Sequence, residues 1–85
     1  MNINVYAIYD KKAAAHMPPF FLHNDNLAIR AVMSTLMNEG MLVDHPEDFV
    51  LNRLAVFDDN LGTFEPDPAV IITIQQLKNE MENVT

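Results

Sequence analysis

The side chains of this sequence best suited to chemistry are carboxylates and histidines. Glu47-Asp48 and Asp58-Asp59 are adjacent acid pairs, His45 stands two residues before Glu47, and His23 stands two before Asp25. Acid–base catalysis needs carboxyls whose surroundings drive their pKa values apart, and adjacency alone does not do that. A structural or catalytic metal needs three or four ligands, more than either histidine–acid pair supplies. Both acid pairs fall in polar turns, where their expected work is hydrogen bonding to backbone. His45, Glu47, Asp48, Asp58 and Asp59 are therefore read as surface for a partner. Cysteine is absent, Ser34 falls within a helical pattern, and Gly40 and Gly62 are isolated, so neither a nucleophile motif nor a phosphate-cradling loop is present. The expectation is a protein that is not an enzyme, with no catalytic residue, no metal site and no cofactor.

Single-stranded nucleic acid is a different matter, because a sheet with exposed aromatic rings stacks bases without reading their sequence. Tyr6 and Phe21 are the candidate stacking residues, and Lys11, Lys12, Arg30 and Arg53 the candidate phosphate contacts. The favoured reading, against this, packs Tyr6 and Phe21 beneath a helix or a dimer partner and makes Lys11-Lys12 a solvated turn.

The elements that must position these residues follow from periodicity. Asn2 to Tyr9 alternates, with Ile3, Val5, Ala7 and Tyr9 on one face and Asn4, Tyr6 and Ile8 on the other, which predicts a strand. Pro18-Pro19 forbids helix, and Phe20-Phe21-Leu22 reads as a second strand. Asn24 or Asp25 caps a helix carrying Ile29, Val32, Met33 and Leu36 on one stripe, with Gly40 as its stop. Met41-Leu42-Val43 is a short connection, Pro46 holds His45 extended, and a strand begins at Phe49. Asp58 to Gly62 supplies a tight reversal before Thr63-Phe64-Glu65, making a hairpin. Asp67-Pro68 resembles a cap followed by a first-turn proline, and Val70, Ile74, Leu77, Met81 and Val84 recur at steps of four and three. These predict a C-terminal amphipathic helix over about 68–83. Val70 to Ile74 is also a strong β run; the helix formers from Gln75 to Glu82 favour helix. The order is β-β-α-β-β-α, a two-layer α+β domain in which helices pack an antiparallel or mixed sheet, with residues 1–85 as a single domain.

Eighty-five residues support one modest core, and without cysteine no disulfide reinforces it. Association is the remaining reinforcement. The stripe Val70, Ile74, Leu77 and Met81 is the candidate oligomer interface, and six methionines add adaptable apolar surface. Twelve acids against five bases leave a net charge of −7, which disfavours polyanions and anionic membranes and suits a basic partner. No apolar run approaches the ~18 residues of a membrane span, and Met1-Asn2-Ile3-Asn4 lacks the basic start of a signal peptide, so the chain is expected to stay where it is made.

His45-Pro46-Glu47-Asp48-Phe49 with Leu51, then Phe57-Asp58-Asp59 with Gly62 and Phe64, resembles the small non-structural protein of gokushoviruses, tailless single-stranded-DNA phages of the Microviridae. Val5-Tyr6-Ala7-Ile8-Tyr9-Asp10 leading to Pro19-Phe20-Phe21, and Ala28-Ile29-Arg30-Ala31, agree with it. The resemblance covers about residues 5 to 64 and carries over no catalytic or ligand residue. It implies a non-enzymatic protein active in genome synthesis at the change to single-stranded progeny DNA, in the cytoplasm of the infected bacterium. The partners it suggests are phage replication or packaging proteins. The alternatives are a single-stranded-DNA-binding homo-oligomer and an acidic DNA mimic that occupies a host replication protein. The matched residues read mostly as fold residues, with Phe49, Phe57 and Phe64 filling a core.

Overall fold

Alternating β-branched and aromatic residues make β1 (Asn2–Asp10) the strand around which the chain assembles. The computed structural model describes residues 1–37 and 40–83. Along one edge β1 pairs antiparallel with β2 (Ala15–His16) and β3 (Phe20–Leu22), two short pieces interrupted at Pro18-Pro19, which have no N–H to donate. Along its other edge it pairs with β4 (Phe49–Asp58), and β4 pairs with β5 (Thr63–Thr73), so the sheet runs β2-β1-β4-β5 and is antiparallel throughout. The protein is thus an α+β domain, with three short elements, β2, a helical turn at Met41–Asp44 and a 3-10 turn at Pro46–Asp48, added to the expected order.

The β4–β5 reversal forms as its residues dictate. The Asp58 carboxylate accepts from the backbone N–H groups of Asn60 (2.9 Å) and Leu61 (3.2 Å), and Gly62 N–H donates to the Asp58 carbonyl (2.8 Å). Gly62 takes φ 70°, the left-handed conformation that glycine adopts without penalty.

Beyond the hairpin the structure corrects the predicted C-terminal helix. β5 continues through Pro66, Pro68 and Val70 to Thr73, and the helix spans only Ile74–Glu82. Two prolines are tolerated because β5 is an edge strand, and a break in register between Arg53↔Ala69 and Ala55↔Pro66 leaves Asp67 and Pro68 outside the ladder. Val70 to Ile72 realises its β propensity by pairing with Leu51 and Asn52, with Ile71 bulged out between the paired Val70 and Ile72. Asp67 therefore caps nothing. Thr73 is the N-cap, its hydroxyl accepting from Gln76 N–H at 3.1 Å. Val84, the last position of the predicted stripe, lies outside the described residues.

The first helix, α1 (Asp25–Leu36), is capped by Asn24, whose side chain accepts from Leu27 N–H (2.9 Å). It ends at Met37, before the expected stop at Gly40, as its last turn tightens with Met37 N–H reaching the Ser34 carbonyl. Gly40 instead precedes the one-turn helix α2 (Met41–Asp44), followed by a 3-10 turn over Pro46–Asp48. With α3 (Ile74–Glu82), these helices cover one face of the sheet. The core between the layers comprises Tyr6 and Ile8 of β1, Phe49 and Leu51 of β4, Ile72 of β5, Ala28 and Val32 of α1, Leu42 of α2, and Ile74 and Leu77 of α3. The molecule measures 42 × 31 × 19 Å, and its short dimension accommodates one sheet and one helical layer. Among the described residues no helix is long and apolar enough to cross a membrane.

Candidate interaction face

β1 is apolar on both of its faces, and the helices take only one. Tyr6 and Ile8 enter the core, while Ile3, Val5, Ala7 and Tyr9 point to the opposite side. Cross-strand pairing extends that side. Val5 faces Phe21 on β3 and Ala55 on β4, Ile3 faces Phe57, and Phe57 faces Phe64 on β5. Three rings meet there, with Phe57 and Phe64 centroids 4.8 Å apart, Phe21 and Phe57 at 5.9 Å, and Phe21 and Phe64 at 6.2 Å. Further along, Tyr9 leans on His16 at 4.8 Å, and Asn52 lies between Ala7 and Val70. Phe21, Phe64 and Val70 are 46%, 57% and 68% exposed, and the Oδ1 of Asn52 is buried without a hydrogen-bond partner. No aspartate, glutamate, lysine or arginine stands among these positions.

A bulge explains why Phe57, expected in the core with Phe49, lies on the open face. The register shifts opposite Val5 and Tyr6, so Tyr6 pairs with Arg53, Val5 with Ala55, and Leu54 is left over. One extra residue reverses which parity faces the helices: Phe49, Leu51 and Arg53 point toward them, Ala55 and Phe57 away. Phe64 follows its partner Phe57 to the open side. Only Phe49 of the three phenylalanines is a core residue.

The predicted nucleic-acid residues do not converge. Tyr6 is fully buried on the helix side; its hydroxyl donates to Asp25 Oδ1 at 2.6 Å and accepts from Asn4 Nδ2 at 2.9 Å, so it offers no stacking surface. Burial, and then the bond to the Asp25 carboxylate, raise its pKa above the ordinary tyrosine value. Arg53 is no free cation either. Its guanidinium lies 3.2 Å from Asp25 and 3.2 Å from Asp67, joining the start of α1 to β4 and β5. Lys11 and Lys12 lie exposed in the turn after β1, where the Asp10 carboxylate accepts from Lys12 and Ala13 N–H. About six residues of strand, roughly 20 Å, separate that turn from the Phe21 cluster. Arg30 is exposed on α1, in the helical layer behind the sheet. Of the six, only Phe21 belongs to the open face.

The acidic positions divide into two places. Asp48 immediately precedes β4 and Asp58 ends it, a separation of about ten strand residues, roughly 33 Å. At the first, one ligand atom each from His45, Glu47 and Asp48 lies within 4.8 Å of the others, on exposed or half-exposed side chains. At the second, Asp58 holds the turn, and Asp59 takes the Met1 ammonium at 2.8 Å. The expected oligomer stripe is dispersed too. Ile74 and Leu77 are buried in the chain's own core and Met81 packs against it, leaving Val70 alone exposed, on the open sheet face. α3 is short because β5 absorbs the first part of that stripe.

The open face was missed in the sequence, although β1 carried its signal: a strand apolar on both sides needs cover on both. Comparison with curated proteins and with solved structures found no match. The match that was found covers all but the first residue of the sheet and reaches the first turn of α3: the model of the phage ORF5 protein family matches residues 3–77, and the chain belongs to that family.

Proposed function

We propose that this phage protein is the small non-structural protein of a gokushovirus-like member of the Microviridae. In this reading it is not an enzyme, and it acts by protein contacts in viral genome replication, at the switch to single-stranded DNA synthesis or in packaging. Its place of action is the cytoplasm of the infected bacterium. The family membership supports a phage role, and the motif from His45 to Phe64 supports the narrower group.

The observation that carries a protein partner over DNA is the fate of the cations. Arg53 is neutralised by Asp25 and Asp67, Lys78 reaches the Val43 carbonyl, and the exposed remainder is divided between the Lys11-Lys12 turn after β1 and Arg30 on α1. Phosphate binding needs several cations along one track. The acids Glu47-Asp48 at one end of β4 and Asp58 at the other, where Asp59 is paired with the Met1 ammonium, instead present negative charge, which suits basic, DNA-handling proteins and speeds their encounter.

The test is capture of purified phage replication and packaging proteins beside a gel shift with single-stranded oligonucleotides at several salt concentrations. Reversing Glu47 and Asp48 to lysine should weaken capture, and Lys11→Glu with Lys12→Glu should leave it unchanged. A tight, steeply salt-dependent DNA complex, lost in that lysine double variant, would replace this reading with a DNA-binding one.

A further inference from the structure

We propose that the uncovered sheet face is the contact between two copies of this chain, packed sheet on sheet about a two-fold axis. Helices bury one side of the sheet, while the other keeps Phe21, Phe64 and Val70 in water. Contiguous exposed apolar surface of this kind marks an interface.

Charge selects the occupant. The chain carries −7, yet the open face holds no formal charge. A basic partner attracted by the acids would find none of them there. A second copy presents the same neutral surface, and the acids at the ends of β4 stay outside the contact, screened beyond about 8 Å at physiological salt. Edges offer no rival mode of self-association. β5 is blunted by Pro66 and Pro68, and the far edge is interrupted at Pro18-Pro19.

Size agrees. Three strands of nine to eleven residues spaced about 4.8 Å apart, with the two short edge pieces beside β1, present roughly 550 Å². Two copies would bury roughly 1,100 Å², at the small end of specific interfaces. Val5, Ala7 and Val50 form a low floor from which Phe21, Phe64 and Val70 project, the relief through which two sheets interdigitate about 10 Å apart. Two-fold pairing is isologous, so the same projecting side chains and the same low floor meet on both copies.

Sedimentation equilibrium of the full chain alone tests this, and needs no replication partner, so its failure is separable from that of the proposed function. A dimer is expected at micromolar concentration. Phe64→Glu and Val70→Glu, both at sites exposed in the single chain, should each raise the dimer Kd by about a hundredfold while circular dichroism stays that of the folded chain and Tm loses only its dependence on protein concentration. Leu61→Glu, at the hairpin tip and off this face, should leave the dimer intact. A monomeric wild type overturns the proposal, whether the chain is inert, binds oligothymidylate through Phe21 and Phe64, or captures another protein through this face. A dimer indifferent to Phe64→Glu and Val70→Glu overturns it equally.

Discussion

Arg53 shows how much one side chain's surroundings change its use. Read alone it is a cation available to phosphate; between Asp25 and Asp67 it is a clasp holding α1, β4 and β5 together, and Tyr6 completes the network through Asp25. Arg53→Ala removes that clasp and leaves two aspartates facing each other; because the aspartates are half-exposed, the expected loss is about 1–2 kcal/mol, measurable by urea denaturation. Tyr6 adds a pH dependence. Its pKa is raised in the fold, so the folded chain holds the phenolic proton more tightly than the unfolded chain does. The associated stability is present below the unfolded value of about 10 and is lost as pH rises through the folded value. Tyr6→Phe should remove that part of the alkaline decline, seen as a shallower fall of Tm above about pH 10. An identical alkaline decline in the variant would show that Tyr6 does not couple folding to pH.

Two boundaries decide the behaviour of the elements. At the hairpin, an added Cβ at Gly62 meets nothing within 4 Å, so the cost of a substitution is conformational alone. Gly62→Val should lose about 1–3 kcal/mol, and Gly62→Asn much less, because asparagine tolerates the left-handed region. Equal melting temperatures for the two variants would contradict the positive φ. At the strand-to-helix junction, Thr73→Ala should cost about 1 kcal/mol by uncapping α3. The corresponding cap for a helix beginning at Pro68 would be Asp67, whose carboxylate is instead engaged by Arg53. Loss of helical circular dichroism in Thr73→Ala, with little in Asp67→Asn, distinguishes the two boundaries.

For the molecule as a whole, the two-layer arrangement separates residues that hold the chain together from residues that can join it to something else. Leu77 is 2% exposed and belongs to the first group, although its place in an amphipathic stripe suggested the second. Leu77→Glu should therefore unfold the protein by burying an uncompensated charge, and Leu77→Ala should cost about 2–4 kcal/mol through the cavity it leaves. A folded Leu77→Glu variant with an altered sedimentation coefficient would place Leu77 on an interface after all. The same stripe contributes Val70 to the opposite side of the sheet, because the chain is still a strand there.

Local chemistry determined much of this protein. The alternation of β1, the Asn24 cap, the strand start at Phe49, the Asp58–Gly62 reversal and the α+β class all follow from side-chain patterns that act over a few residues, where propensity and hydrogen bonding within the segment dominate. The acidic character and the family motif were equally legible. What only the tertiary structure decided depends on pairing between distant segments. Val70 to Thr73 is a strand because β4 is there to pair with it, a contact that outweighs local helix periodicity. Phe57 and Phe64 leave the core because a bulge at Leu54 reverses the alternation, and periodicity cannot register one inserted residue whose cause lies in the neighbouring strand. Arg53 loses its free charge to Asp25 and Asp67, and Tyr6 its accessible ring to the core beneath the helices, all contacts between distant segments. The sequence therefore determined which residues were apolar, aromatic or charged, and the fold decided which face each of them serves.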